Sequence, residues 1–247
     1  MQIRHTMLLD NFCRIPGNLF VYWVGENVFN IYKHSIPIKT FCEPKQGIAA
    51  SGNELFLRKW YEVENYKICN IVDEKYDYAQ ATFQYKWFPY SKGGEFRRWY
   101  GNEEYIIDYY RDGEKINNHK GSVVRNPRYY YKECISWSDI SSAKISFRYK
   151  KPGHIFDAAG PSIFFENKED LIVLLALLNS KVISIIAEFM SPALHFSVGQ
   201  VAEYPFLDIK NEFKDQVKEK TAENVEMSIN DWNDYEISSD FKKHPLI

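Results

Sequence analysis

The fold class is decided by Lys144–Met190, which reads KISFRYKKPGHIFDAAGPSIFFENKEDLIVLLALLNSKVISIIAEFM. Apolar and polar side chains alternate at its start, which is typical of a half-buried β-strand. Farther along, apolar residues recur at helical spacing through Lys168–Asn179 and Lys181–Met190. We therefore predict an α+β fold, in which a mixed, β-rich domain with strands concentrated before Phe165 is followed by a strong C-terminal helical region.

The same two periods assign the other elements. Helices are predicted at Glu26–His34 and Ile209–Glu226, and Glu54–Trp60 is either a short helix or the entry to a strand. Strands are predicted at Phe20–Val24, Tyr61–Val72, Ala81–Phe88, Tyr105–Asp108, Cys134–Trp137 and Lys144–Tyr149, with His154–Asp157 and Pro161–Phe165 paired to each other. We divide the chain into a domain at 1–206, against which Phe196–Phe206 is ordered, and a helical and irregular tail at 207–247.

The composition is that of a globular protein. The 247 residues are 45% hydrophobic and 17% aromatic, which excludes a largely disordered chain and allows a sizeable core. The four cysteines are widely spaced, so we expect reduced, mostly buried thiols rather than a disulfide scaffold or a zinc ribbon. No leader peptide is recognised, and polar residues interrupt the longest apolar run, Leu171–Ala187. We expect a soluble cytoplasmic protein without a membrane partner.

Charge is distributed unevenly along the chain. Although the net charge is −2, the segment from Gln84 to Lys151 carries 14 Lys and Arg residues against 8 Asp and Glu residues. Aromatic side chains are interleaved with these cations, above all between Thr82 and Tyr110. Cations that neutralise phosphates, together with aromatic rings that stack or pack, are typical of a nucleic-acid-binding surface. The alternative is a solvated charged surface over a core to which many of the rings belong.

Catalytic motifs are largely absent. The sequence contains no G-x-x-x-x-G-K-[ST] phosphate loop, no H-E-x-x-H pair and no G-x-S-x-G elbow. Acid-x-Lys pairs recur, but no Pro-Asp pair precedes them, as a PD-(D/E)xK nuclease requires. Asn126-Pro127-Arg128-Tyr129 departs from the Asn-Pro-Pro-Tyr motif of amino-methyltransferases, and no glycine-rich loop follows an early strand to hold a methyl donor. We predict that this chain alone is not an enzyme and holds no cofactor.

Several longer strings occur in a recognisable order. The strongest is KWFPYSKGGEFRRWYGN at Lys86–Asn102. The others are Phe12–Gly17, Val21–Glu26, Pro44–Gly47 leading to Asn53, Phe56–Val63, Ile135–Ser138 with Ile140–Ser142, Phe147–Tyr149, Ile155–Asp157, Leu177–Val182, Phe196–Gly199, Asp231–Trp232 and Asp240–Leu246. In this order they resemble the carboxy-terminal target-recognition region of the adenine-specific DNA methyltransferases of the PglX type, from the BREX phage-defence system, and of related fused restriction–modification enzymes.

The resemblance implies a DNA sequence-recognition module that lacks the catalytic half of its parent. In that family the catalytic domain lies upstream and uses S-adenosylmethionine, so the implied partners are double-stranded DNA, an upstream methyltransferase domain and other phage-defence proteins. The residues predicted to bind DNA are Asn53, Arg58, Lys86, Tyr90, Lys92, Gly93, Gly94, Arg97, Arg98, Ser141 and Ser142. Because adjacent residues of a strand or helix point apart, at most one of Arg97 and Arg98 is expected to be a strong phosphate contact.

Two other classes of function remain open from the sequence. A metal-dependent nuclease fragment, or a methyltransferase active by itself, would bind a metal or a methyl donor. A protein-interaction module of a phage-defence complex would dock through Leu171–Met190, unless that segment is a core helix. The family's loop after Gly47 usually reads Thr-Gly-Asp-Asn, whereas this chain has Ala50–Asn53 there and Leu55 at a later basic position. A DNA contact from that loop is therefore supported only by Asn53 and Arg58.

Overall fold

A computed structural model describes Cys13, residues 15–142, residues 144–244 and Leu246. The N-terminal residues in which no leader was recognised lie outside the described residues, as do Phe12, Arg14 and Pro245 of the family strings. The described helices are α1 (Glu26–His34), α2 (Asn53–Phe56), α3 (Tyr78–Gln84), α4 (Tyr110–Asn117), α5 (Lys168–Leu178), α6 (Lys181–Met190), α7 (Val198–Ala202) and α8 (Asn211–Asn233).

The strands are short and fall almost wholly in the first two thirds of the chain. They are β1 (Ile36–Pro37), β2 (Glu43–Lys45), β3 (Leu57–Lys59), β4 (Trp87–Ser91), β5 (Tyr105–Asp108), β6 (Cys134–Trp137), β7 (Phe147–Lys150), β8 (Ile155–Phe156), β9 (Ser162–Phe164) and β10 (Pro205–Phe206). The predicted α+β class is confirmed, and in the described part of the chain only β10 lies beyond Phe165.

Two four-stranded sheets form the centre of the molecule. The first has the strand order β2-β9-β6-β7 and is antiparallel throughout. The second has the order β3-β5-β4-β8, in which β4 and β8 run parallel. The predicted pairing of His154–Asp157 with Pro161–Phe165 is wrong, because the turn between β8 and β9 carries the chain from one sheet to the other.

The larger core lies between the first sheet and the helices α5 and α6. Its fully buried members include Trp137, Phe147 and Ile163 from the sheet and Leu174 and Ile183 from the helices. Among the described residues no single helix is long and apolar enough to cross a membrane; α5 and α6 reach the required length only together, with a bend of 71° between them. Most apolar side chains of both helices lie in this core. Leu171–Met190 is therefore a pair of core helices rather than a helix available for docking.

The second core is rich in tyrosine and accounts for much of the aromatic composition. It surrounds the second sheet and includes Phe88, Tyr90 and Ile107, each without exposed surface. Tyr78 stacks on Tyr131 with ring centroids 4.1 Å apart. Cys69 and Cys134 are buried here and Cys42 in the larger core, all as free thiols, as expected from their spacing.

Four sequence-based assignments are corrected by the structure. The run Phe20–Val24 forms turns rather than a strand, and Tyr61–Val72 forms short 3₁₀ turns. The segment Ala81–Phe88 is helical in its first half, because Asp77 caps α3 by accepting a hydrogen bond from the Gln80 N–H group. The strand at Lys144–Tyr149 is not half-buried: β7 has both faces covered.

The C-terminal residues are packed rather than irregular up to Asn233. Helix α8 extends beyond the predicted Glu226 and buries Val225 in the larger core and Trp232 against Gly101. The segment Phe196–Phe206 is ordered as predicted, since Trp137 Nε1 donates to the Phe196 carbonyl at 2.7 Å. The domain boundary after Phe206 stays a prediction.

Candidate nucleic-acid interface

Three loops meet at one end of the two sheets. They comprise residues 92–98 after β4, 138–142 after β6 and 157–161 after β8, and we call them the loop platform. They meet because β4 and β8 are parallel, which brings the ends of these strands to the same edge. Ser138 Oγ donates to the Gly94 carbonyl at 2.8 Å, and the Asp139 N–H group donates to the Ala159 carbonyl at 3.0 Å.

Gly93 is required by this packing. It has φ +88°, and a Cβ atom there would lie 2.7 Å from the Ala159 carbonyl oxygen. A side chain is therefore excluded both by conformation and by the neighbouring loop. Gly94 also has positive φ, is exposed, and lies beside the Asn102 side chain. Of the two predicted glycines, Gly93 packs inside the platform and Gly94 lies on its surface.

Tyr90 supports the platform from below. It has no exposed surface, and its hydroxyl donates to Asp157 Oδ2 at 2.7 Å, while Asp157 Oδ1 accepts from the Ala159 N–H group at 2.6 Å. Burial raises the pKa of Asp157, although both hydrogen bonds oppose the shift, and burial together with Asp157 raises the pKa of Tyr90 well above its ordinary value. A direct DNA contact by Tyr90, predicted from the sequence, is not available to a side chain with this burial.

The adjacent arginines Arg97 and Arg98 have different surroundings. Arg97 Nη1 lies 3.2 Å from Asp231 Oδ2, and its guanidinium is 5.0 Å from the centroid of the Trp232 ring on α8. Arg98 is half-buried with its guanidinium 5.6 Å from the Phe96 ring, and it has no carboxylate partner within 4 Å among the described residues. Arg97 therefore holds α8 against the loop, which leaves Arg98 as the candidate phosphate contact.

A second group of predicted residues lines a groove of about 640 Å³ beside the second sheet. Three cations and two glutamates are among its lining residues, which are Arg58, Tyr61, Glu62, Val63, Glu64, Lys67, Lys86 and Trp87, and we call it the groove. Arg58 Nη1 donates to the Glu54 and Leu57 carbonyls at 2.7 and 2.6 Å, which fixes the guanidinium 5.9 Å from the Trp87 ring. Lys86 lies 5.0 Å from the same ring and 3.6 Å from Asp108.

The remaining predicted residues are Lys92, Ser141 and Ser142 in the platform loops, and Asn53 outside them. The amine of Lys92 lies 5.0 Å from the centroid of the Tyr105 ring, and that of Lys59 lies 3.7 Å from it. Ser142 is exposed on the platform, and the Ser141 N–H group donates to the Leu194 carbonyl at 3.2 Å. Asn53 is exposed at the start of α2, apart from the platform loops.

Two buried cations escaped the sequence analysis. Arg148 and Lys150, both on β7, are 0% and 1% exposed, so part of the basic charge counted between Gln84 and Lys151 lies inside the protein. Lys150 Nζ lies 2.6 Å from Glu103 Oε1, and His154 Nε2 lies 2.6 Å from Glu103 Oε2. Burial favours a higher pKa for Glu103, but the charges of Lys150 and His154 outweigh it and lower the pKa to about 2. Arg148 and Lys150 alternate with the aromatic residues Phe147 and Tyr149 along β7, a pattern that predicts exposed cations. The sequence therefore does not indicate that these two cations are buried.

A larger cavity of about 840 Å³ lies at the opposite end of β9 from the platform. Its charged lining is balanced, with Lys39, Arg128, Lys132 and Lys168 facing Glu43, Glu74, Glu133 and Glu166. Most of these charges neutralise one another; Lys168, for example, pairs with both Glu74 and Glu133. The described residues contain no group of three His, Cys, Asp or Glu side chains placed to hold a metal ion.

Comparison with known proteins finds relatives along the whole chain, although no family model matches it. The chain is 34% identical over 245 residues to the adenine-specific methyltransferase PglX of Lacticaseibacillus casei (strain Zhang), covering 96% of this chain and 20% of the relative. It is 35% identical over 243 residues to the adenine-specific methyltransferase BrxX of Escherichia coli O9:H4 (strain HS), covering 97% of this chain and 19% of the relative. The type IIG restriction endonuclease BpuSI aligns with a TM-score of 0.47 and 14% identity, over 80% of this chain and 27% of that chain.

Both curated relatives are adenine-specific methyltransferases, and the chain matches one region of each. More particularly, the resemblance to the carboxy-terminal region of PglX-type methyltransferases, predicted from the sequence, is confirmed. The chain spans about a fifth of the length of the curated relatives that it matches.

Proposed function

We propose that this chain is the DNA sequence-recognition module of an adenine-specific DNA methyltransferase of the BREX or restriction–modification type. The observation that carries the proposal is the 34–35% identity to two adenine-specific methyltransferases, which extends over nearly the whole chain but only a fifth of theirs. The chain alone is not catalytic in this proposal. The methyl donor, S-adenosylmethionine, and the amine-holding motif belong to an associated methyltransferase domain.

The geometry supports a division of labour on the DNA. The cations of the groove, Arg58 and Lys86, and those of the platform, Lys92 and Arg98, neutralise phosphates and set the register of the duplex. Exposed polar side chains on the platform, such as Ser142, read base edges in the major groove. The buried members of the predicted set, Tyr90 and Gly93, hold the loops in place.

The platform and the groove are separated by the length of β4. The groove residue Trp87 begins this strand and Ser91 ends it just before the platform, a distance of about 13 Å at the usual rise per residue. Cations at both ends of the strand therefore contact different phosphates of one duplex. Two separated contacts fix the orientation of the module as well as its position.

The proposal is tested by titrating the purified chain with a random pool of double-stranded DNA at several salt concentrations and sequencing the bound fraction. We expect affinity to fall as salt rises and a short sequence to be enriched. Absence of binding at low salt, or binding without enrichment, would contradict sequence recognition. Radiolabel transfer from S-adenosylmethionine to DNA by the chain alone would contradict the non-catalytic assignment.

The alternative functions receive less support. The described residues present no three-ligand group for a nuclease metal, and α5 and α6 direct most of their apolar side chains into the core. On α6, Ile185 and Val182 remain partly exposed, but neither lines the larger cavity. We therefore propose DNA and an associated methyltransferase domain as the primary partners, with other phage-defence proteins as further partners.

A further inference from the structure

A fully buried guanidinium lies directly behind the loop platform. Arg148 Nη2 donates to Ser138 Oγ at 3.0 Å, and its Nη1 donates to the Arg97 carbonyl at 3.4 Å and to Ser146 Oγ at 3.3 Å. No carboxylate of the described residues lies within 4 Å of it. Burial lowers the pKa of Arg148 to about 10, although the charges of Glu103 and Glu104 oppose the shift, so the group stays charged at neutral pH. Burying a charge with no opposite charge in contact is strongly unfavourable, and some other gain must offset it.

The loop in front of Arg148 shows an asymmetry in its hydrogen bonds. The carbonyl oxygens of Gly94, Glu95, Arg97 and Arg98 accept hydrogen bonds from within the chain, whereas no N–H group from Gly94 to Arg98 donates one to a described residue. Gly94, Glu95 and Phe96 are exposed, so their N–H groups are left to water or a ligand. Successive free N–H groups after a residue with positive φ, as at Gly94 in this loop, can form a concave site for an anion.

We infer that the outer face of Gly94–Arg98 binds a phosphate group of the DNA backbone, with the loop N–H groups as donors and the buried charge of Arg148 as the attraction behind them. The inference rests on the proposed function, because DNA is the expected source of the phosphate. Arg148 does not touch the ligand and is a positioning residue: it holds the Arg97 carbonyl inward and leaves the N–H groups outward. Arg98, which is half-buried and has no carboxylate partner within 4 Å among the described residues, flanks the site as a further cation.

Lys150 anchors the loop through hydrogen bonds but does not add a positive potential to it. Its Nζ donates to the Gly101 carbonyl at 3.0 Å and to the Asn102 carbonyl at 3.3 Å, so it too anchors the segment. Its charge, however, is neutralised in place by Glu103, 2.6 Å away. Of these two buried cations, Arg148 is therefore the one that no carboxylate of the described residues contacts, since Glu103 and Glu104 act on it only from beyond 4 Å.

The experiment uses the ¹⁵N-labelled chain, titrated with inorganic phosphate at constant ionic strength with chloride as the reference anion. Arg148→Gln keeps hydrogen-bond donors without the charge, and Arg148→Lys keeps the charge with fewer donors. Lys144→Gln is the control, because it removes an exposed charge that pairs with Glu188. We expect saturable shifts of the amide signals from Gly94 to Arg98 in the parent, Arg148→Lys and the control, and at least about tenfold weaker binding in Arg148→Gln.

Each outcome decides for or against the phosphate site. No saturable shift in the parent, or an equal response to chloride, overturns the inference even if no variant folds. Phosphate binding by a folded Arg148→Gln variant that equals the parent overturns the role of the charge. A parallel titration with double-stranded DNA separates the two proposals. DNA binding without a phosphate response leaves the recognition module and removes this site, whereas a phosphate response without DNA binding leaves the site and removes the module.

Discussion

At the scale of the residue, Gly47 shows how closely two backbones pass beside the second sheet. A methyl group there would lie 1.8 Å from the Phe156 carbonyl oxygen. We expect Gly47→Ala to lower the free energy of unfolding by on the order of 1–3 kcal/mol or more, measured by urea denaturation. Gly199→Ala is the matched control, since no atom lies within 4 Å of a Cβ at that site in α7. It is expected to be neutral or to gain about 0.5–1 kcal/mol, and equal losses in the two variants would refute the steric argument.

The adjacent arginines give a second residue-scale prediction. Arg98→Ala should reduce the dependence of log affinity for DNA on log salt by about one, because a phosphate contact is lost. Arg97→Ala should leave this slope unchanged and instead lower stability by up to about 1 kcal/mol, through loss of the contacts to Asp231 and Trp232. DNA titrations at several salt concentrations and urea denaturation of both variants measure the two effects. The assignment fails if the slope changes in Arg97→Ala and not in Arg98→Ala.

The two arginines also show where sequence reasoning stops at this scale. Adjacency alone predicted that at most one of them would be a strong phosphate contact. The structure shows Arg97 in contact with the Asp231 carboxylate and the rings of Trp232 and Tyr235. Which arginine makes these contacts depends on α8, more than 100 residues along the chain, whose position local spacing cannot supply. Residues that read DNA bases cannot be identified from local spacing for the same reason.

At the scale of the element, strong periodicity predicted well and short apolar runs did not. Helix α1 has the predicted bounds, Glu26–His34, and β5 and β6 are also as predicted. The prediction for Phe20–Val24 failed because consecutive apolar residues carry no period that separates a strand from a series of turns, and Phe20, Tyr22 and Trp23 are in fact exposed. For α3 a signal was available: the capping Asp77 precedes Tyr78, Ala81 and Thr82, which are buried on one face.

Helix α3 should depend on its N-terminal cap. Asp77→Ala removes the carboxylate that accepts from the Gln80 N–H group, and we expect a loss of about 0.5–2 kcal/mol. Lys210→Ala at the start of α8 is the control, because the Lys210 side chain makes no capping hydrogen bond. Urea denaturation of both variants measures the difference. A loss at Lys210 as large as that at Asp77 would show that capping is not the cause.

At the scale of the whole molecule, the ion group at Glu103 joins β7 to the segment before β5. In the folded protein the pKa of Glu103 is about 2, below the ordinary value of 4.5, so between these pH values the unfolded chain binds more protons than the folded one. The stabilisation is therefore complete above about pH 4.5 and is lost as the pH falls toward about 2. We expect Glu103→Gln to be less stable than the parent at neutral pH and to lose less stability on acidification, as measured by urea denaturation across this range.

The control for acidification is Glu64→Gln. The hydrogen bond and charge of Lys67 lower the pKa of Glu64, but this pair is on the surface, where solvent screens it. Its acid response should match that of the parent. A Glu103→Gln variant that loses stability in acid as steeply as the parent would show that other carboxylates control the transition.

The way the platform is anchored bears on how its exposed side chains diverge among descendants of one ancestral gene. The Gly94–Arg98 backbone is held by Ser138, Arg148 and Asn102, none of which belongs to that segment. Replacing the Glu95 or Phe96 side chain therefore leaves these anchors intact, so substitutions at the exposed end of the loop do not remove its support. Descendants of one gene can accordingly change these exposed side chains one at a time without passing through unfolded ancestors.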